Sequence, residues 1–477
     1  MAEKIRKFIN DYPSARWAAL ILISLMMFFA YMFVDVMSPL QSLVEQQRGW
    51  TPKIFGTYAA SEYILNVCGF LIIAGIILDK MGVRFTGILA SSMMFFGAVI
   101  KFIGVSDWFQ TTAFNEWLGT WWVSMPGSAK MASLGFMIFG CGCEMAGTTV
   151  SKSIAKWFAG KEMALAMGLE MAIARIGVFA VFSISPAIAA KFGTIAAPIG
   201  FCTVLLLIGV INFLVFSVMD KKFDSQLIDA GLLKAKKDRK PEDEFQIKDL
   251  GKVFGSRSFW TVAILCVLYY SAIFPFQRYG ANMLQCNIGD LTPQQAANIF
   301  RWFPIGAAVV TPFLGAYLDH KGKGATMLIF GSLLLIICHL VFAFLLPATH
   351  SKLLAYSTIV LLGISFALVP AALWPSVPKI IPHKILGSAY NLIFWVQNIG
   401  LFLVPLLIGS VLQASNANNP AVIAAREAGA EFIPYNYTVP LIIFACFGVA
   451  ALIVAIYLKA LDSKKNLGLE MPNIVKD

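Results

Sequence analysis

Among the ionisable side chains within or at the edge of long apolar runs, seven are candidates for chemistry: Asp35, Glu62, Glu144, Glu170, Arg175, Arg278 and Arg301. A charge inside a bilayer costs roughly 2.5–3.5 kcal/mol on insertion scales, so each needs a reason to be there. Arg175 stands roughly 18 Å along its run if that run is helical, near mid-depth. A guanidinium there can take a carboxylate through two parallel hydrogen bonds. Glu144, in the preceding run, can neutralise Arg175 or accept an ammonium group, although a straight-helix estimate puts it up to about 10 Å nearer the inner face. Two readings stand side by side: a clamp for a molecule carrying both charges, and an ion pair that locks two helices. Glu170 is about 140° around the helix from Arg175 and does not share its face. Asp35, Glu62, Arg278 and Arg301 fall nearer the outward ends, where they line an outer vestibule or reach interfacial water.

The second half of the chain offers Tyr269, Tyr270, Trp374, Asn391, Gln397 and Asn398 as further pocket residues. Aromatic faces accept varied groups and amides hydrogen-bond polar ones; the plainer reading of Trp and Tyr in such runs is interfacial contact or packing. Trp374 lies beside Pro370, Pro375 and Pro378, which interrupt helical hydrogen bonding and mark a candidate hinge. Other chemistry has no support. There is no Gly-rich phosphate loop or nucleophile elbow, and His320, His339, His350 and His383 are scattered. Cys141-Gly-Cys143 lacks the further ligands a metal needs. Most of the eight cysteines lie in apolar runs, as small hydrophobes, while Cys286 falls in an expected loop. Neither enzyme activity, nor a cofactor, nor a metal is expected.

These residues need elements that cross a membrane. The 477-residue chain is 58% hydrophobic and 13% charged, with mean hydropathy +0.75; soluble domains carry about 25% charge. Apolar runs fall at approximately 17–40, 54–78, 85–103, 131–150, 163–190 and 196–218, then at 259–279, 296–318, 325–346, 353–374, 386–412 and 439–458. Each approaches the ~20 residues that span a bilayer. Lipid offers the backbone no partners, so the runs must be helical. The expected class is an all-α membrane protein of twelve transmembrane helices.

Of the 37 Lys and Arg residues, only Arg48, Lys53, Lys130, Lys191, Lys352 and Arg426 lie in outward loops, and Lys101, Arg175, Arg278 and Arg301 lie in or at the edge of helices. The rest share a side with the two tails. Excess positive charge stays in the cytoplasm, which puts both termini inside and explains the net charge of +11 without nucleic acid. The expected organisation is a tail at 1–16, a six-helix bundle at 17–218, a cytoplasmic linker at 219–258, a second bundle at 259–458 and a tail at 459–477. The linker mixes charge signs, as in Lys234-Ala-Lys236-Lys237-Asp238-Arg239-Lys240. That suits a solvated segment; docking of a partner or anionic lipid is the other reading.

The halves repeat. Gly75-Ile-Ile-Leu-Asp79-Lys80-Met81-Gly82, ending the second run, matches Gly315-Ala-Tyr-Leu-Asp319-His320-Lys321-Gly322, ending the eighth, with a displacement of 240 positions. Ala174-Arg175-Ile176-Gly177-Val178-Phe179 in the fifth matches Gln397-Asn398-Ile399-Gly400-Leu401-Phe402 in the eleventh. Repeats of this kind build two halves around a central site. Gly75-x-x-x-Asp79-x-x-Gly82 followed by Arg84 resembles the loop motif between the second and third helices of the major facilitator superfamily. Glycine there permits close helix contact, and aspartate caps or pairs at a neighbouring helix end. The resemblance implies two pseudo-symmetric six-helix bundles and a loop that holds one conformation of a carrier. The second copy departs from the pattern at Gly324, with Lys323 just before it, so weaker charge pairing is expected there.

A narrower resemblance runs through Trp157-Phe158-Ala159-Gly160-Lys161-Glu162-Met163-Ala164-Leu165-Ala166-Met167-Gly168 and Ala174-Arg175-Ile176-Gly177. It continues through Tyr269-Tyr270-Ser271-Ala272-Ile273-Phe274-Pro275-Phe276, Ala372-Leu373-Trp374-Pro375, Leu386-Gly387-Ser388-Ala389-Tyr390 and Gln397-Asn398-Ile399-Gly400. In this order the segments look like the lysosomal dipeptide transporter branch of the superfamily. The resemblance implies alternating-access carriage of dipeptides by a uniporter without obligatory proton coupling, with Glu144 and Arg175 gripping the two peptide termini. The first helix lacks the Glu-x-x-Glu-Arg motif of proton-coupled peptide carriers. The alternatives are a carrier of small organic anions, mono- or dicarboxylates, clamped by Arg175 alone, and a non-transporting membrane sensor or scaffold. The expected partners are a small-molecule substrate and the lipid bilayer; a monomer is expected, with an accessory membrane subunit left open. Residues 1–13 carry no acidic dileucine signal of the lysosomal kind, which favours a bacterial cytoplasmic (inner) membrane over a lysosomal one.

Overall fold

The apolar runs become helices packed in the order the repeat requires. A computed structural model describes residues 8–159, 161–231, 255–381 and 386–472, among which there is no strand. The first half contains α1 (Pro13–Asp35), α2 (Pro52–Ser61), α3 (Leu71–Val105), α4 (Gly127–Trp157), α5 (Met163–Phe192) and α6 (Ala196–Asp229). The second contains α7 (Arg257–Ile288), α8 (Trp302–Lys321), α9 (Gly324–Leu340), α10 (Lys352–Ile380), α11 (Leu386–Ser415) and α12 (Thr438–Lys465). Eleven stretches among the described residues are long and apolar enough to cross a membrane. One of them, Pro52–Val105, has 54 residues, more than twice the ~20 that a bilayer requires. It turns back at Gly82, whose φ of 82° and ψ of 172° lie outside the helical region. That stretch therefore supplies two crossings. The described residues thus make twelve crossings in two six-helix halves, with the start of α1 and the end of α12 on the face that the lysines and arginines favour.

Several helices outrun their apolar segments. α4 continues to Trp157, α6 to Asp229 and α10 to Ile380, because hydropathy marks only the lipid-embedded part while polar residues prolong a helix into the headgroup layer. Trp374 consequently lies inside α10, which stays helical through Pro370, Pro375 and Pro378. Cys286, expected in a loop, belongs to the last turn of α7. The polar residues around it, Asn282, Gln285 and Asn287, are buried. The Lys234–Lys240 run, with most of the expected linker, and His383 lie outside the described residues.

The second repeated motif marks equivalent helix crossings. A Cβ on Gly177 would stand 2.5 Å from the Phe28 carbonyl oxygen of α1, and one on Gly400 would overlap Ser271 Oγ of α7. Glycine at these points lets α5 close on α1 and α11 on α7.

The two copies of the first motif are braced differently. In the first copy Asp79 pairs with Lys152 of α4 at 2.6 Å and Arg84 with Asp224 of α6 at 3.3 Å. Lys156 joins Asp220 and Asp224 at 2.7 and 2.6 Å. Gly75 faces α11, where a Cβ would stand 3.8 Å from Asn391 Nδ2. In the second copy Gly315 and Asp319 occupy the last turns of α8, and Gly322 (φ 71°) meets the segment Glu470-Met471-Pro472. The Lys323 and Gly324 N–H groups donate to the Glu470 and Leu469 carbonyls at 3.0 and 3.1 Å. The Glu470 carboxylate accepts the Thr326 N–H at 2.7 Å. Lys379 Nζ donates to the carbonyls of Gly468 and Met471, each at 3.0 Å. A Cβ on Gly322 would collide with this segment. The departure at Lys323 and Gly324 thus coincides with a loop tied to this segment through its backbone as well as through charged side chains, Lys323 and Glu470 approaching only to 3.8 Å.

Candidate functional site

Counted from the inner ends of α4 and α5, Glu144 and Arg175 stand about 20 Å and about 18 Å in. The depth offset expected from the apolar runs disappears because α4 continues to Trp157. The ion pairs among the described residues do not include one between Glu144 and Arg175. Both side chains are half-buried. Arg175 Cζ lies 4.7 Å from the ring centre of Phe366 in α10 and 6.0 Å from that of Phe274 in α7. The guanidinium therefore faces the second bundle across the central seam, on ring faces whose quadrupoles favour a cation. Tyr31 of α1 lies within electrostatic reach of Arg175, Glu144 and Glu170.

Aromatic rings from α7, α10 and α11 form a wall beside this position. Tyr270 stacks on Phe274 at 5.4 Å, Phe274 meets Phe366 edge-on at 5.6 Å, and Tyr270 meets Trp374 at 6.4 Å. Trp374 Nε1 donates to Tyr270 Oη at 3.2 Å, and Tyr390 Oη donates to the Trp374 carbonyl at 3.1 Å. The Trp374 ring also lies 4.9 Å from Phe394. Such hydrogen bonds fix the ring positions and leave broad apolar faces.

Tyr270 and Trp374 thus join Arg175, whereas the neighbouring expectations go elsewhere. Tyr269 is fully buried within the second bundle and donates to the Ser365 carbonyl at 2.5 Å; consecutive residues point about 100° apart on a helix, so Tyr269 and Tyr270 cannot share a face. Asn398 is buried and donates to Phe394 O of its own helix at 2.9 Å. Gln397 is buried and accepts from the Cys266 thiol at 3.4 Å. Asn391 is exposed on α11. Tyr31, Phe274 and Phe366 were not anticipated. They sit in apolar runs, and only the hydroxyl of Tyr31 sets any of them apart.

The outer half of the seam is shut by charge. Arg278 of α7 pairs with Asp35 of α1 at 3.0 Å and with Glu62, just beyond α2, and it also donates to the Val34 carbonyl. Gln277 Nε2 donates to the second Asp35 oxygen at 2.5 Å. All three charged side chains are buried, so they neither line an open vestibule nor reach interfacial water. Arg301 likewise turns inward: its guanidinium lies 5.1 Å from the Phe179 ring centre and donates to Ser183 Oγ at 3.3 Å. Lys101 Nζ, buried without a hydrogen-bond partner, lies 4.2 Å from the Phe33 ring centre and 4.3 Å from that of Phe136. Arg278 lies over the same Phe136 ring, 5.6 Å from its centre. Farther out, Arg426 reaches Glu45 at 3.7 Å. Among the described residues, the ion pairs that join the two bundles all lie in this outer half; those at the inner ends stay within one bundle. One signal for the Asp35–Arg278 pair was present in the sequence. Opposite charges occupy nearly equal depths in the first and seventh crossings, about 33 and about 32 Å from their inner ends.

Comparison with known proteins agrees with this architecture. Similar curated proteins include the lysosomal dipeptide transporter MFSD1 of Danio rerio, 28% identical over 411 residues covering 83% of this chain and 80% of that protein. The Homo sapiens protein of that name is 26% identical over 411 residues, covering 84% and 80%. Solved structures of the same fold include the nucleoside transporter NupG, with a TM-score of 0.64 at 14% identity over 92% of this chain and 98% of that one. The D-xylose-proton symporter gives 0.65 at 13% over 93% and 97%. The family described as the Major Facilitator Superfamily matches residues 23–405. With that match running from the first crossing into the eleventh, the chain belongs to the Major Facilitator Superfamily and is a multi-pass membrane transporter rather than an enzyme.

Proposed function

We propose that the protein carries dipeptides by alternating access, with Arg175 taking the peptide carboxylate and Glu144 its ammonium group. The observation that carries this reading is the pair itself: opposite charges at one depth, not bonded to each other, beside an aromatic wall facing the seam. A zwitterion answers both charges at once. The wall of Tyr270, Phe274, Phe366 and Trp374 suits variable side chains because ring faces discriminate weakly among apolar groups. Similarity to proteins named as lysosomal dipeptide transporters supports the substrate class. The shut outer seam fits a carrier caught with its site turned toward the inner face. Transport is uniport, and the membrane is the bacterial cytoplasmic one.

The test is uptake into proteoliposomes of a dipeptide, its N-acetyl derivative and its C-terminal amide, with and without a pH gradient. The free dipeptide is expected to be carried alone, at a rate independent of the gradient, and Arg175→Ala and Glu144→Gln are each expected to abolish uptake. Folded variants that transport like the parent would discard the site. If Glu144→Gln transports normally and Arg175→Ala does not, the substrate is an organic anion.

A further inference from the structure

Between α3 and α4, on the outer face, the chain builds a helical hairpin, Asp107–Gln110 and Ala113–Thr120, with no part in the site or the seam. It and the turn after it carry Trp108, Phe109, Phe114, Trp117, Trp121 and Trp122, among them four of the chain's 11 tryptophans. The rings form a ladder with centres 6.1 Å apart from Phe109 to Phe114, 5.5 Å to Trp117 and 5.0 Å to Trp121. Only the first rung is covered. Phe109 is 2% exposed, whereas Trp117 is 49%, Trp121 55% and Trp122 99% exposed. The helix Ala113–Thr120 buries no residue.

The hairpin is held at a definite height. Arg48 pairs with Asp107 at 2.5 Å and donates to the Val105 carbonyl at 2.7 Å, which fixes the base of the hairpin. Asn115 packs so closely on Gly127 that a Cβ there would overlap its carbonyl, which sets the second helix level with the first turn of α4. Lys130 Nζ donates to the Leu118 and Gly119 carbonyls at 2.8 and 3.1 Å, so the C-terminal end of that helix does not depend on water. Below this level the same two crossings present apolar residues outward. Phe96 on α3 is 61% exposed and Leu134 on α4 is 44% exposed, about 14 Å and about 10 Å beneath the outer ends of their helices. The exposed rings thus stand at the outer ends of crossings whose outward residues below them are apolar.

We propose that this hairpin lies in the headgroup layer of the outer leaflet, its tryptophans against lipid, and fixes the first bundle at that depth. Tryptophan favours this layer because its ring is apolar and its N–H finds polar partners there. A short helix with exposed rings lies in such an interface rather than across it. Of the second bundle's outer helices, Pro420–Glu427 contains no aromatic residue and Pro293–Phe300 only the buried Phe300.

The experiment is spin labelling of Trp117→Cys and of Trp122→Cys, separately, in the full chain with Cys68→Ser and Cys446→Ser. The protein is reconstituted in phosphatidylcholine–phosphatidylglycerol vesicles, and collision with oxygen is compared with collision with an aqueous nickel chelate. Ala430→Cys, in an exposed outer loop, is the aqueous reference. The oxygen-to-nickel ratio is expected to be several-fold higher at 117 and 122 than at 430. A ratio equal to that at 430 places the rings in water and overturns the proposal. Low collision with both reagents also overturns it, because a protein surface then covers the rings.

Discussion

Removing Arg278 tests what holds the outer seam closed. Arg278→Gln deletes the only guanidinium between Asp35 and Glu62, whose side chains are 2% and 7% exposed, and withdraws a donor from the Val34 carbonyl. Breaking a buried ion pair from one side costs about 3–5 kcal/mol, because the remaining charge is stranded. The lower figure applies here, since Gln277 still donates to Asp35. The open state, in which both carboxylates meet water, bears none of this cost. At 1.4 kcal/mol per decade, about 3 kcal/mol shifts the closed-to-open ratio by roughly 100-fold. A cysteine at Ser42 reports the shift, because Ser42 is buried at the seam and hydrogen-bonds Gln285 of α7 at 3.2 Å. With Cys68, Cys286 and Cys446 changed to Ser, labelling of Ser42→Cys by an impermeant maleimide is expected to accelerate by up to two orders of magnitude in Arg278→Gln. Arg278→Lys, which keeps the charge, is expected to fall between. An unchanged labelling rate in folded Arg278→Gln would show that the ion pairs do not hold the seam.

Gly177→Ala and Gly400→Ala each drive a methyl group into the facing helix, so each is expected to cost about 1–3 kcal/mol and lower the melting temperature in detergent. Gly168→Ala, with nothing within 4 Å of the added Cβ, is the matched control and should not lower it. Glu470→Gln removes a charged acceptor from the Thr326 N–H, a bond worth about 1.5–3 kcal/mol. Hydrogen exchange is expected to quicken at residues 322–328 and to stay unchanged at 82–86; equal rates in parent and variant would refute a bracing role for the tail.

The fold was legible because lipid imposes one rule on every crossing, and the twelve runs obey it. The duplicated Gly-x-x-x-Asp-x-x-Gly also fixed the pairing of halves. Arg175 and Glu144 stood out because charge is rare in such runs, and Trp374 and Tyr270 because aromatic faces in the second half suit a pocket of varied occupants. What stayed hidden depended on relations across the seam. Phe366 looks like any core phenylalanine until Arg175 is laid on it. The partnership of Asp35, Glu62 and Arg278 joins residues more than 200 positions apart, and sequence shows only their signs and depths. Helix ends were misplaced for a different reason: hydropathy stops where lipid stops, and α4 and α10 do not.

The unlike bracing of the two inner loops has a consequence for ionic strength. The Asp79–Lys152 pair is largely exposed, and screening shortens from about 8 Å at physiological salt to about 3 Å in molar electrolyte. The loop of the first bundle is thus sensitive to its surroundings. Its counterpart at Gly322 adds two main-chain hydrogen bonds to Leu469 and Glu470, which dissolved ions screen little, to the charged contacts of Glu470 and Lys379. A transporter of two similar halves is therefore unequal in one respect: brine weakens the inner hinge of the first half more than that of the second, which keeps main-chain bonds that salt barely touches.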